Sequence, residues 1–245
     1  MILYELQFDL GSTDAAERTL NSAVDRFPDI TDLKYLLVEL YTITERYENA
    51  TQLLDRMQPD VAQDDPRLPY LRAIIAGEQG DVERAVTYYR QALALQPDYY
   101  DALADLAVLL AQQSDPQAEP YFESALLVNP NDIELMMEQA MYYANRRDFD
   151  RANEIYADIA RQEPQYVDAY LESALIYLTI NQPAEAERLL RLATQMEVTY
   201  APPYFYLGVI AQERGDLATA RQYYEQALNL DPMYADAQEA LGLLQ

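Results

Sequence analysis

Residues 80–97, GDVERAVTYYRQALALQP, and residues 215–232, GDLATARQYYEQALNLDP, carry the same residue types at the same offsets. The first has Gly80-Asp81, Ala85, Tyr89, Ala92 and Pro97; the second has Gly215-Asp216, Ala220, Tyr224, Ala227 and Pro232. Small residues, an aromatic and a proline recurring over a period of about 34 residues are the pattern of stacked helical hairpins, each of which buries its apolar face only against its neighbours. The period decides the fold, and arrays of this kind usually serve as binding surfaces.

The repeat extends outward through the helix-ending prolines Pro28, Pro97, Pro130, Pro164 and Pro232, with Val198 standing where a proline would fall. This frame divides the chain into a partial first repeat over 1–30, repeats over 31–65, 66–99, 100–132, 133–166, 167–200 and 201–234, and a terminal half-repeat or capping helix over 235–245. The unit at 100–132 is one residue short at its inner turn, and Gln58 to Pro66 is expected to form an irregular connection. Met1 to Leu10 lacks a basic region and reads as the latter part of a first helix, not as a secretory signal. A chain that starts and stops inside repeats looks excised from a longer array.

Within a unit, position 8 of the first helix is small (Ala73, Ala107, Ala140, Ala174, Gly208, Gly242), and position 20, in the second helix, is alanine (Ala16, Ala50, Ala85, Ala152, Ala186, Ala220). Position 24 is large (Leu20, Leu54, Tyr89, Phe122, Tyr156, Leu190, Tyr224) and position 27 mostly alanine (Ala23, Ala92, Ala125, Ala193, Ala227). Alternating large and small side chains interdigitate at close helix approach. The inner turns are Gly11-Ser12, Gly80-Asp81 and Gly215-Asp216, where glycine supplies a left-handed cap and Ser or Asp starts the next helix. Ser114-Asp115-Pro116 and Asn181-Gln182-Pro183 are expected to do the same with proline early in the second helix.

These residues resemble the tetratricopeptide repeat (TPR) family over nearly the whole chain. The resemblance implies an all-α fold, a right-handed α-solenoid of stacked antiparallel helical hairpins. In place of the family's bulky position 4, often tryptophan, the chain has Lys34, Pro69, Leu103, Met136, Tyr170 and Tyr204, so the helices at Lys34 and Pro69 are expected to start a residue or two off the frame.

The chain contains neither cysteine nor histidine. Disulfides, thiolate or imidazole metal ligands and the Ser-His-Asp triad are thereby excluded, and no GxxxxGK phosphate loop occurs. Carboxylate-only chemistry remains formally open, but acid pairs occur everywhere in so acidic a chain, and no catalysis, cofactor or metal is expected. Asp64-Asp65 and Asn129 to Asp132 lack the ligand alternation of a calcium loop and read as helix caps. No apolar run approaches the ~20 residues of a membrane span, and a cytoplasmic location is the default.

Formal net charge is −25, from 42 acidic and 17 basic residues, all of the latter arginine except Lys34. Nucleic acid and anionic membranes would be repelled. The global acidity suits adaptation to high salt, a halophilic signature, and any local role depends on placement. The resemblance implies that first helices line a concave groove through positions 2, 5, 6, 9, 12 and 13. Position 5 reads Tyr35, Tyr70, Ala104, Met137, Leu171 and Phe205; position 9 reads Glu39, Ile74, Val108, Met141, Leu175 and Val209. Positions 2 and 6 of the three central repeats are Asp101, Asp105, Glu134, Glu138, Asp168 and Glu172, all acidic, whereas Tyr206 holds position 6 later. An alternative has positions 5 and 9 packing between adjacent helices while 2 and 6 meet water.

The expected function is a protein-protein interaction scaffold whose partner is a protein or peptide with apolar anchors and Arg or Lys. In such a groove burial supplies affinity, and charge supplies rate and register. A carboxylate clamp of the family's kind is excluded on charge. Two alternatives are a structural module forming a homo-oligomer through its terminal helices, and a recruitment domain excised from a larger enzyme or regulator. Most tyrosines, in pairs such as Tyr88-Tyr89, Tyr99-Tyr100, Tyr142-Tyr143 and Tyr223-Tyr224, fall at positions 11, 23, 24 and 34 and are expected to pack.

Overall fold

The computed structural model describes residues 13–59, 63–197 and 199–244. The Gly11-Ser12 turn, the opening Met1 to Leu10, Val198 and residues 60–62 of the irregular connection lie outside these. The described residues form 14 helices and no strand. The chain divides into two compact units, Met1–Asn129 and Pro130–Gln245.

The first unit holds α1 (Thr13–Arg26), α2 (Thr31–Ile43), α3 (Tyr47–Met57), α4 (Arg67–Glu78), α5 (Val82–Leu95), α6 (Tyr100–Gln112) and α7 (Ala118–Val128). The second holds α8 (Ile133–Asn145), α9 (Phe149–Gln162), α10 (Val167–Thr179), α11 (Pro183–Met196), α12 (Ala201–Glu213), α13 (Leu217–Leu230) and α14 (Ala235–Leu243). Within each unit every helix packs on the one before it, and α2 also touches α4. These are stacked hairpins.

The alternation of small and large residues builds the seams. Ala73, Ala107, Ala140 and Ala174 of the first helices, and Ala50, Ala85, Ala152, Ala186 and Ala220 of the second, have no exposed surface, and Tyr156, Tyr224, Phe122, Leu54 and Leu190 fill the space between. Gly208 shows how tight the fit is: a Cβ there would lie 2.5 Å from the Tyr224 ring. Ala118 is equally buried in the short unit, taking the alanine slot one residue early.

Each inner turn among the described residues follows one geometry. Glu45, Gly80, Ser114, Arg147, Asn181 and Gly215 all have positive φ, from 56° to 79°. In each case the following amide donates back to a carbonyl in the last helical turn, as Asp81 N–H does to Ala76 and Asp148 N–H to Tyr143, both at 2.9 Å. That paired closure is a Schellman motif. Asp81, Asp148 and Asp216 then accept from the amide three residues on and start α5, α9 and α13. Pro183 opens α11, but Pro116 precedes α7, which begins only at Ala118, because Asp115 first turns the chain by accepting from the Gln117 amide. Asp132 caps α8, and Asp65 accepts from the Arg67 amide at the start of α4. α2 starts at Thr31, on the frame, and α4 one residue after it, with Pro69 buried in its first turn.

The remaining first helices dispense with a polar cap. Tyrosine occupies the N-cap of α6 (Tyr99), α10 (Tyr166), α12 (Tyr200) and α14 (Tyr234), with no side-chain hydrogen bond to the helix. Forgoing a cap costs about 1 kcal/mol per helix. The rings are used elsewhere.

Candidate functional site

Those N-cap tyrosines fold back over the first helix of the preceding repeat. The Tyr99 ring meets Tyr70 edge-on at 5.1 Å, Tyr234 meets Phe205 at 5.2 Å, and the Tyr200 hydroxyl donates to Asp168 at 2.9 Å. Burial raises the Tyr166 pKa, and Asp168 and Glu134 add to the effect. The tyrosines at the ends of repeats therefore border the same face as the acids of positions 2 and 6. Their even spacing is visible in the sequence, but spacing alone assigns them only to packing.

In the first unit, Asp105 of α6 is half-buried and accepts from two phenols, Tyr70 at 3.0 Å and Tyr89 at 3.4 Å. Desolvation holds its carboxyl above the usual range; the phenols pull it down and the Asp101 charge pushes it up. The same burial and the Asp105 charge raise both phenols strongly. Ile74, Asp105 and Val108 come together in one cavity of about 360 Å³, also lined by Gly77, Glu78 and Tyr89. Tyr35 is sealed at 4% exposure among Leu68, Leu71 and Ile75 of α4. Its hydroxyl donates to Asp65, and the Arg67 guanidinium lies 4.5 Å over its ring. Asp101 is exposed.

In the second unit, Glu134 and Asp168 are exposed and Glu138 and Glu172 half-buried. The acids of α8 and α10 share surroundings: burial raises the Tyr156 pKa strongly, and the charges of Glu172 and Glu138 both raise it further. Glu172 itself is raised, by desolvation first and then by Asp168. Glu134, Glu138 and Glu172 have no hydrogen bond or ion pair among the described residues. Five of the unit's arginines pair elsewhere: Arg151 with Asp148, Arg161 with Asp158, Arg188 with Glu185, and Arg191 and Arg214 both with Glu187.

The apolar rows divide in a way the spacing does not reveal. Position 5 is buried in three repeats, where Met137 and Leu171 are covered like Tyr35, and Leu171 joins the cluster containing Leu207 and Ile210 of α12. These three offer little surface to a ligand. Position 9 stays open: Met141 is 42% exposed, and Leu175 and Val209 are partly exposed, as are Phe205 and Tyr206. Among the described residues no cluster of acids could hold a metal ion, and no helix is long and apolar enough to cross a membrane.

Comparison with known proteins agrees with this architecture. Tetratricopeptide repeat models match residues 7–75 and 143–206, residues 70–133, and residues 208–245. The BBSome complex member BBS4 homolog of Drosophila melanogaster is 27% identical over 55% of this chain and 28% of its own length. Human protein O-mannosyl-transferase TMTC3 is 23% identical over 62% of this chain and 18% of its own. The chain thus spans less than a third of either relative. Among solved structures, the C-terminal part of a TPR repeat-containing protein from Cytophaga hutchinsonii superimposes with a TM-score of 0.78, at 14% identity over 98% of both chains. YrrB, a TPR protein with an unusual peptide-binding site, gives a TM-score of 0.59 at 19% identity, over 75% of this chain and 95% of that one. These likenesses extend over repeats whose seams, turns and spacing have just been described, and the chain belongs to the tetratricopeptide repeat family.

Proposed function

We propose that this chain is a protein-interaction scaffold whose first-helix faces hold a segment of a partner protein bearing apolar anchors and Arg or Lys. The observation that carries the reading is the set of carboxylates Glu134, Glu138 and Glu172, on the same face as Met141 and Leu175 and without a cationic partner among the described residues, while Arg151, Arg188 and Arg191 pair on other helices. A solvated acidic coat in a chain with 16 arginines would be expected to pair some of these acids locally. Apolar contact with Met141, Leu175 and Phe205 supplies affinity; the acids orient the segment and hasten encounter. No catalytic role is assigned to this chain.

Fluorescence anisotropy with labelled twelve-residue peptides tests this, comparing leucine anchors interleaved with arginine against the same anchors interleaved with glutamate. The arginine peptide should bind, more weakly as salt rises, and Glu138→Lys with Glu172→Lys should weaken it about tenfold or more and flatten its salt dependence. Equal affinity in a double variant with unchanged helical circular dichroism would remove the reading. The global charge is a separate matter, for which we propose salt adaptation. A melting temperature unchanged between dilute buffer and molar salt would count against it.

A further inference from the structure

The first unit contains a second cavity, of about 350 Å³, bounded by Tyr35 and Glu39 of α2, Arg67, Tyr70 and Leu71 of α4, and Tyr99 and Asp101 at the start of α6. Tyr70 and Tyr99 meet edge-on at 5.1 Å and 65°, forming an aromatic corner, while the nearly buried Tyr35 borders the cavity with little surface of its own. Glu39 and Asp101 have no hydrogen bond or ion pair among the described residues, so two carboxylates face the cavity without a counter-charge.

Arg67 is the one cation in the wall, and its charge is already balanced. It donates to Asp65 at 2.8 and 3.0 Å and to Asp32 at 2.6 Å, and it stacks on the Tyr35 ring. Held that way, it cannot turn to Glu39 or Asp101 without abandoning both partners. The carboxylates influence the cavity together: the Tyr99 phenol is pushed up to about 12 by burial first, then by Asp101, with Asp65 and Glu39 adding and Arg67 opposing.

We propose that this cavity receives one cationic side chain, an arginine guanidinium or a lysine ammonium, from the segment held on the first-helix face; the inference rests on the groove reading above. Aromatic faces attract a cation through their quadrupole, and the carboxylates complete its neutralisation. A neutral or anionic group would leave Glu39 and Asp101 partly desolvated with nothing in return. The volume, at the low end of the about 300–1,000 Å³ of small-molecule sites, admits a single long side chain with room to spare. Arginine fits the planar corner by stacking, whereas lysine would act as a point charge.

The test is an NMR titration of protein carrying ring-labelled tyrosine. The probes are Nα-acetyl-arginine methylamide, Nα-acetyl-lysine methylamide and the neutral isostere Nα-acetyl-citrulline methylamide. Tyr70 and Tyr99 resonances, assigned through Tyr70→Phe and Tyr99→Phe, should move with the cations and stay still with citrulline; the cation of lower Kd names the side chain preferred. Glu39→Gln with Asp101→Asn, both at exposed side chains, should weaken the response by roughly tenfold in protein whose urea midpoint is within the scatter of single surface substitutions. The proposal is overturned if citrulline shifts the rings equally, if neither cation moves them, or if the double variant responds like the parent. A silent cavity alongside salt-sensitive peptide binding through Glu138 and Glu172 would sink this inference and leave the scaffold reading intact.

Discussion

Position 6 of the central repeats is acidic in both units, yet Asp105 in the first and Glu172 in the second do opposite work. Asp105 accepts from Tyr70 and Tyr89 and ties α4, α5 and α6 together. Glu172 has Tyr156 nearby, the counterpart of Tyr89, but no hydrogen bond joins them, and at the place of Tyr70 stands Met137, which has no donor to offer. Side chains of the preceding repeat thus make one carboxylate a structural acceptor and leave the other without a bonded donor. Repeat position alone does not reveal a role.

The sharpest way to break the comparison is to remove each acid and measure unfolding in urea at neutral pH. Asp105→Ala strands two partly buried phenols and should cost about 2 kcal/mol. Glu172→Gln removes a charge that burial and Asp168 both disfavour, and it should leave stability unchanged or raise it by up to ~0.5 kcal/mol. Equal losses at both sites would mean that Glu172 is also built into the fold.

Asp105→Asn sharpens the same contrast through pH. The amide oxygen can still accept from both phenols, while the desolvated charge is gone. Because folding raises the Asp105 pKa, the stability tied to its protonated form is complete below about pH 4 and is lost as pH rises through the folded value. The variant has no such group, so its advantage over the parent should grow from about pH 4 upward and then level off. A difference independent of pH would mean that Asp105 titrates normally.

Much of the architecture is legible in the residues because the period, the alanine slots and the Gly-Asp turns are local signals that agree with one another. Ala118 is missed because a one-residue deletion shifts the slot, and the Pro116 turn because proline suits either side of a helix start. The candidate site is less legible. That Tyr35, Met137 and Leu171 are sealed while Met141 is open depends on how far the next hairpin overlaps each position, which spacing within one helix does not encode. The phenols on Asp105 and the Arg214–Glu187 pair come from side chains in different repeats, and only packing brings them together.

The inner turns repeat the comparison at a finer scale and with a smaller expected effect. All six have the same left-handed residue, but only Gly80 and Gly215 are glycine; Arg147 in the second unit has φ of 63° with a Cβ to accommodate. A non-glycine residue there loses about 1–2 kcal/mol to crowding, and glycine returns about 0.5–1 kcal/mol of that through its freer unfolded chain. The Arg147 side chain is exposed and has no hydrogen bond or ion pair among the described residues, so little else changes on replacement. Arg147→Gly should therefore stabilise by about 0.5 kcal/mol, and Gly80→Ala, with open space around its Cβ, should destabilise by about 1 kcal/mol from the backbone alone. If urea midpoints show Arg147→Gly destabilising, the arginine contributes an interaction in the folded chain, and the two turns are not equivalent despite their shared geometry.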